Sequence, residues 1–187
     1  MSSPWNAHAG LAPSAWVVRH AGLIAPGARV LDLAAGRGRH ALFLAGRDAR
    51  VLAVDRDSVA LSTLASTPGI ETRVADLEAG AWPFEGRCFD AIVAVHYLHR
   101  PLLPQILLSL ADDGVLLYET FAVGNEAYGK PTNPDFLLAP GELLNFARDA
   151  LTVVAFEQGV ITGERRAVVQ RLAAVGRGRR WPAPLAA

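Results

Sequence analysis

The sequence predicts an α/β protein: a doubly wound, mostly parallel seven-stranded sheet that ends in an antiparallel hairpin. Three observations carry this. Short apolar runs alternate with amphipathic stretches from Arg29 to Phe121, the pattern of parallel strands buried beneath crossover helices. The rhythm breaks in the last third, where two long strand-like runs, 151–161 and 167–175, are joined through Thr162, Gly163, Glu164 and Arg165. So short a connection joins antiparallel strands only, because a parallel crossover needs roughly a dozen residues or more. Finally, 187 residues that are 51% hydrophobic can bury a core without disulfide or metal staples. One domain is expected over 1–175, with a lead-in over 1–13 and a flexible arginine-rich tail over 176–187.

The elements follow in order. Ser14 is placed to cap a short helix through His20, stopped by Gly22 and the Pro26–Gly27 turn. Residues 29–33 read as a buried strand, 38–46 as a helix and 51–55 as a second strand. Residues 57–66 read as a helix with Asp57 as its acidic cap, closed before Pro68 and Gly69. A weaker strand over 72–75 precedes a loop through Trp82 and Pro83. Then come a strong strand at 89–95, a helix at 101–110 with proline in its first turn, and a strand at 115–121. The apolar run 102–110 is expected to be core. A short helix at 142–148 precedes the hairpin.

Charge and cysteine usage narrow the function classes. Basic and acidic residues are equal at 18 each, giving zero formal charge, whereas a dedicated nucleic-acid binder carries a strongly basic face. Cys88 is the only cysteine, which excludes a disulfide framework and a multi-cysteine zinc site and fits a reducing, cytoplasmic setting. Residues 1–10 lack the basic and apolar regions of a signal peptide. No uninterrupted apolar run approaches the roughly 18 residues of a membrane span. Residues 164–187 carry six arginines against Glu164 alone, and the terminal 176–187 reads as a solvated tail.

The most informative stretch is Val30-Leu31-Asp32-Leu33-Ala34-Ala35-Gly36-Arg37-Gly38-Arg39-His40. A strand feeds a turn holding Gly36 and Gly38, and a helix follows. Glycine lets the backbone take positive φ and approach a ligand closely, and the helix start offers unpaired N–H donors. A lone G-x-G is shared by many such turns, but Asp55 adds to it. Asp55 ends the next strand, 17 residues after Gly38, where a carboxylate can accept both hydroxyls of a ribose. Asp57 is free to cap the following helix. Asp32, at the strand end three residues before the first glycine, would repel a pyrophosphate but suits a ligand ammonium. Ammonium, close glycine backbone and ribose clamp together describe S-adenosylmethionine. The alternative enzyme class is an NAD(P)-dependent oxidoreductase, since Gly36-x-Gly38-x-x-Ala41 loosely fits that glycine pattern. Asp32 and the lack of room for a substrate domain speak against it. Outside enzymes, the alternative is a non-catalytic cofactor-binding or RNA-binding protein that uses the arginine-rich tail.

Asp32-x-x-x-Gly36-x-Gly38 with Asp55 resembles the cofactor signature of class I S-adenosylmethionine-dependent methyltransferases, over about residues 14–175. The run LDLAAGRGRHALFLA is similar to the small tellurite-resistance methyltransferase group. The resemblance implies a Rossmann-like methyltransferase fold, S-adenosylmethionine as cofactor and S-adenosylhomocysteine as product. It places Asp32, Ala34 and Gly36 at the methionine part, with Gly38 in the same loop, and Asp55 at the ribose. Arg56 then flanks the adenine, and Asp76 and Leu77 supply an acid and a backbone amide to it. Val95 and His96 lie beside the sulfonium and methyl.

The acceptor side is read mainly by exclusion. After the fourth strand the chain runs Val95-His96-Tyr97-Leu98-His99-Arg100-Pro101. It lacks the Asn-Pro-Pro-aromatic motif of base-amino methyltransferases and the Pro-Cys of cytosine-C5 enzymes. It also lacks the strand-end acids of metal-dependent catechol-type enzymes, and no metal is expected. His96 is the candidate catalytic base and His99 a secondary contact; Tyr97 reads as packing or cofactor wall. The long segment 122–139 reads as a lid or binding loop, with Glu119, Asn125, Tyr128 and Lys130 as candidate substrate contacts. Trp5, Asn6 and His8 are placed to close the site from the other side. A small-molecule acceptor is favoured over nucleic acid, with no membrane partner.

Overall fold

The computed structural model of the chain describes residues 12–162, 166–180 and 182. Trp5, Asn6 and His8 lie outside them. Seven strands form one sheet: β1 (Arg29–Leu33), β2 (Arg50–Asp55), β3 (Ile70–Val74), β4 (Phe89–Val95), β5 (Leu110–Phe121), β6 (Leu151–Ile161) and β7 (Ala167–Gly176). Their order is β3-β2-β1-β4-β5-β7-β6. The first five are parallel, and β7 pairs antiparallel with both β5 and β6.

The two-residue alternation of the strands divides the core. Val30, Val51, Ala53, Val93, Val115 and Leu117 face one side, where α1 (Ala15–His20) brings Trp16 and Val17 and α2 (Arg39–Ala45) brings Ala41 and Leu44; Leu61 of α3 (Ser58–Ser62) joins them. Leu31, Leu33, Leu52, Ile92 and Leu116 face the other side. There they meet Phe84, Ile106 of α4 (Leu103–Leu108), and Leu143 and Ala147 of α5 (Glu142–Arg148). With both faces covered, the central strands are continuously apolar rather than alternating.

The hairpin shows why β7, and not β6, sits next to β5. Nearly every β7 residue is buried, whereas most of β6 is partly or fully exposed. The strand with two apolar faces takes the interior position, and the more polar one becomes the edge.

Four expectations need correction. The fourth helix ends at Leu108, and β5 starts at Leu110 instead of 115 because Leu110 pairs with Phe89 before the register shifts to Ala91–Val115. The run 102–110 is only partly core: Ile106 is 1% exposed, but Leu108 is 72% exposed. The third helix stops at Ser62, and β3 spans Ile70–Val74 as an edge strand. The tail does not leave at residue 176, since Gly178 N donates to Asp112 O at 2.8 Å and Arg179 Nη2 to Leu23 O at 2.8 Å.

Gly38 couples this packing to the cofactor loop. Its φ is +73°, and a Cβ there would run into the Leu64 side chain. Gly38→Ala therefore combines a left-handed penalty of about 1–2 kcal/mol with overpacking of about 1–3 kcal/mol. Urea unfolding should show a loss of about 2–5 kcal/mol. Gly36→Ala, at φ +55° with nothing within 4 Å of the added methyl, should lose less.

Candidate active site

The strand order reverses between β1 and β4, and parallel sheets bind ligands at that point, outside the carboxyl ends. There a cavity of about 280 Å³ is lined by Ala34, Asp55, Arg56, Ala75, Asp76, Leu77, Glu78 and Tyr97. A larger cavity of about 630 Å³, with Arg29, Arg50, Arg87 and Cys88 in its wall, lies at the amino ends of the same strands. Ala34 of the glycine loop and the strand-end acids Asp55 and Asp76 meet in the smaller one.

Asp55 ties the loop to the second strand. Its Oδ2 accepts from Gly36 N at 2.8 Å and its Oδ1 from Asp57 N at 2.9 Å. Asp57 caps α3 by accepting from Val59 N and Ala60 N, so Asp55 is not needed as the cap. Ala34 and Gly36 both have positive φ, at 52° and 55°. The loop thus turns its backbone toward the cleft, and the open side of Gly36 is the space a Cβ would fill. Asp76 accepts from Glu78 N through Oδ1 at 2.9 Å, making a turn acid that also lines the cavity beside buried Leu77.

Asp32 lies one layer deeper, 1% exposed, with Oδ2 accepting from Ala41 N at 3.0 Å. Burial pushes its carboxyl up to about 7, against the pull of the Ala41 N–H and the Arg39 charge. Asp32, Gly36, Gly38 and Val95 do not line the cavity itself. Val95 is 7% exposed and packs in the core, paired in register with Glu119.

A second cluster stands at the exits of β4 and β5. Glu119, 3% exposed, accepts through Oε2 from Ser14 Oγ at 3.0 Å and Arg171 Nε at 2.7 Å. Ser14 N donates to His40 Nε2 at 3.1 Å. His40 is 4% exposed; burial holds it down to about 3, so it is neutral. His96 N donates to Glu119 O at 2.8 Å. The sequence reading found Glu119 and His96 but missed Arg39, His40 and Arg171. No local signal marks Arg171, which reaches Glu119 only because β7 inserts beside β5. Arg39 and His40 are marked only by following Gly38.

The remaining candidates stay apart from both clusters. Asn125, 1% exposed, braces its own loop: Nδ2 donates to Pro131 O and Oδ1 accepts from Val168 N. This use of both amide ends makes it a support for the loop. Tyr128 and Lys130 are exposed on that loop. His99 is half-buried, and its carbonyl accepts from Leu102 N in the turn before α4.

Residues 30–112 match the family described as a methyltransferase domain. The fold of the chain is that of the S-adenosylmethionine-dependent methyltransferases. TehB from Haemophilus influenzae superposes with a TM-score of 0.72 at 20% identity, covering 86% of this chain and 61% of its own. The chain thus spans about three fifths of the length of that neighbour. A TehB-like S-adenosylmethionine-dependent methyltransferase from Corynebacterium glutamicum superposes at 0.65 and 19% identity, covering 92% and 94%. Coclaurine N-methyltransferase, whose structure holds N-methylheliamine and S-adenosylhomocysteine, superposes at 0.62 and 19% identity, covering 80% and 51%. No curated protein is similar enough to match this chain. Among the described residues, no helix is long and apolar enough to cross a membrane.

Proposed function

We propose that the protein transfers the methyl group of S-adenosylmethionine to a small acceptor at the carboxyl ends of β1, β2 and β4. The observation that carries this is the cavity at the switch point, in which Asp55, Asp76 and Leu77 meet beside a glycine loop anchored to Asp55 itself. Bound there, the cofactor supplies an electrophilic methyl group on a sulfonium. Asp55 holds the ribose hydroxyls, Asp76 and the Leu77 amide hold the adenine, and Arg56 flanks it. Asp32, Ala34 and Gly36 hold the methionine part, with Asp32 facing its ammonium. Val95 keeps water from the reacting face, and much of the acceleration comes from alignment in a dry site. The zero net charge supports a small acceptor over a nucleic acid. The exposed free Cys88 supports a reducing, cytoplasmic setting.

Thermal unfolding with S-adenosylmethionine, S-adenosylhomocysteine, NAD and NADP in parallel tests the reading. At 100 times its dissociation constant a ligand stabilises the fold by about 2.7 kcal/mol. Stabilisation by the adenosyl compounds alone is expected; stabilisation by a nicotinamide compound alone would replace the assignment with the oxidoreductase one.

Asp32 sets a pH dependence. Its carboxyl stays largely neutral below about 7, and only the anion pairs with an ammonium. Affinity for S-adenosylmethionine should therefore fall up to tenfold for each pH unit from 7 down to 5.5. Titration calorimetry should show this slope in the native protein and a flat, weaker profile in Asp32→Asn.

A further inference from the structure

His96 is held from several directions. Its backbone takes φ +58°, a left-handed conformation that costs a non-glycine residue free energy and that persists where the surroundings enforce it. Its ring stacks on Phe121, with centroids 4.7 Å apart and planes 23° from parallel. Its Nδ1 lies 3.3 Å from Arg39 Nη2. A guanidinium has donors only, so Nδ1 must present its lone pair to Arg39. A neutral imidazole has one lone pair and one N–H, which puts the proton on Nε2. Nε2 lies 3.7 Å from Glu119 Oε1, outside hydrogen-bond reach, and the side chain is 40% exposed. Among the described residues, His96 Nε2–H thus has no acceptor at hydrogen-bond distance.

We infer that His96 acts as a neutral hydrogen-bond donor to the methyl acceptor through Nε2–H, not as a base, that Arg39 is its positioning residue, and that the acceptor is a thiol or acidic hydroxyl already ionised in solution. The inference rests on the methyltransferase reading above and names the acceptor class of that site.

The surrounding charges agree. Burial lowers the basicity of His96 most; Arg39 from α2 and Arg171 from β7 lower it further, and Glu119 from β5 alone raises it. His40, from α2, is neutral. Glu119 Oε2 is occupied by Arg171 and Ser14, and its Oε1 lies 3.7 Å from His96 Nε2. His96 Nδ1, turned to Arg39, is therefore not free to take a proton from an alcohol or an ammonium. An ionised sulfur or oxygen needs none taken: one lone pair accepts from Nε2–H, and another forms the bond to the methyl carbon. The carbon–sulfur pair returns to the donor sulfur, and no proton passes to the protein.

Imidazole-labelled protein, observed by long-range proton–nitrogen correlation at pH 7.5 with and without S-adenosylhomocysteine, tests the donor role. His96→Gln assigns the signal. The expected result is a neutral Nε2–H tautomer that stays neutral to below the ordinary histidine value of about 6.5. Arg39→Met should mix the tautomers and raise the midpoint. A proton on Nδ1, a charged ring at pH 7.5, or a spectrum unchanged by Arg39→Met would overturn the donor role. For the acceptor class, S-adenosylhomocysteine formation should be faster with thiophenol than with benzyl alcohol. Any other ordering, no turnover with either included, overturns that class. Failure of S-adenosylhomocysteine to bind in the same samples would count against the cofactor reading instead.

Discussion

Asp55→Ala should weaken S-adenosylhomocysteine binding by roughly two orders of magnitude. The substitution removes the proposed acceptor for both ribose hydroxyls, and charge-assisted hydrogen bonds contribute about 1.5–3 kcal/mol each. It also frees Gly36 N, which Asp55 Oδ2 holds at 2.8 Å, so the loop loses its anchor. The fold should survive, because Asp57 rather than Asp55 caps α3. Calorimetry checks the affinity and circular dichroism the fold. Asp55→Asn keeps an oxygen for Gly36 N and should fall between the two. Unchanged affinity in the alanine variant would remove the ribose clamp from the proposed site.

Arg171→Met should destabilise the protein by about 3–5 kcal/mol at pH 8, because it leaves a buried carboxylate without its cation. The Glu119 and Arg171 side chains are 5% and 18% exposed, so solvent screens the pair little. Ser14 Oγ still donates to Glu119, but a single hydroxyl does not offset a buried charge. Pairing Arg171→Met with Glu119→Gln should recover most of the stability, since the double variant buries no unpaired charge. Denaturant unfolding of the two single variants and the double one measures the coupling directly. A single variant within about 0.5 kcal/mol of the native protein would show that the network contributes nothing net.

Much of the fold around the switch-point cavity was legible in sequence, for a local reason. The bounds of β1, β4 and α5 match their expected ranges, because short apolar runs and helix-period faces flanked by Gly, Pro and Asp leave little choice of element. The glycine loop and Asp55 are coded within one β-α-β unit. Asp76, expected at the adenine, accepts from Glu78 N in a turn and lines the cavity. Segments that failed are those where pairing overrode propensity. Residues 110–114 read as helix end and turn, yet Leu110 joins the sheet because Phe89 offers it a partner.

What the sequence determined by itself is the doubly wound sheet, the closing hairpin, the strand-end acids and the glycine turn. Each of these depends on residues near one another in the chain. What only the tertiary structure decided is the polar cluster at the exits of β4 and β5. Ser14, Arg39, His96, Glu119 and Arg171 come from α1's cap, α2, the β4 exit, β5 and β7, and Ser14 stands 105 residues from the Glu119 it bonds. Which nitrogen of His96 carries the proton depends on Arg39, 57 residues away. Hydrogen-bond donors and charges act over a few ångströms of space, and sequence spacing does not encode those distances until the sheet order has been set.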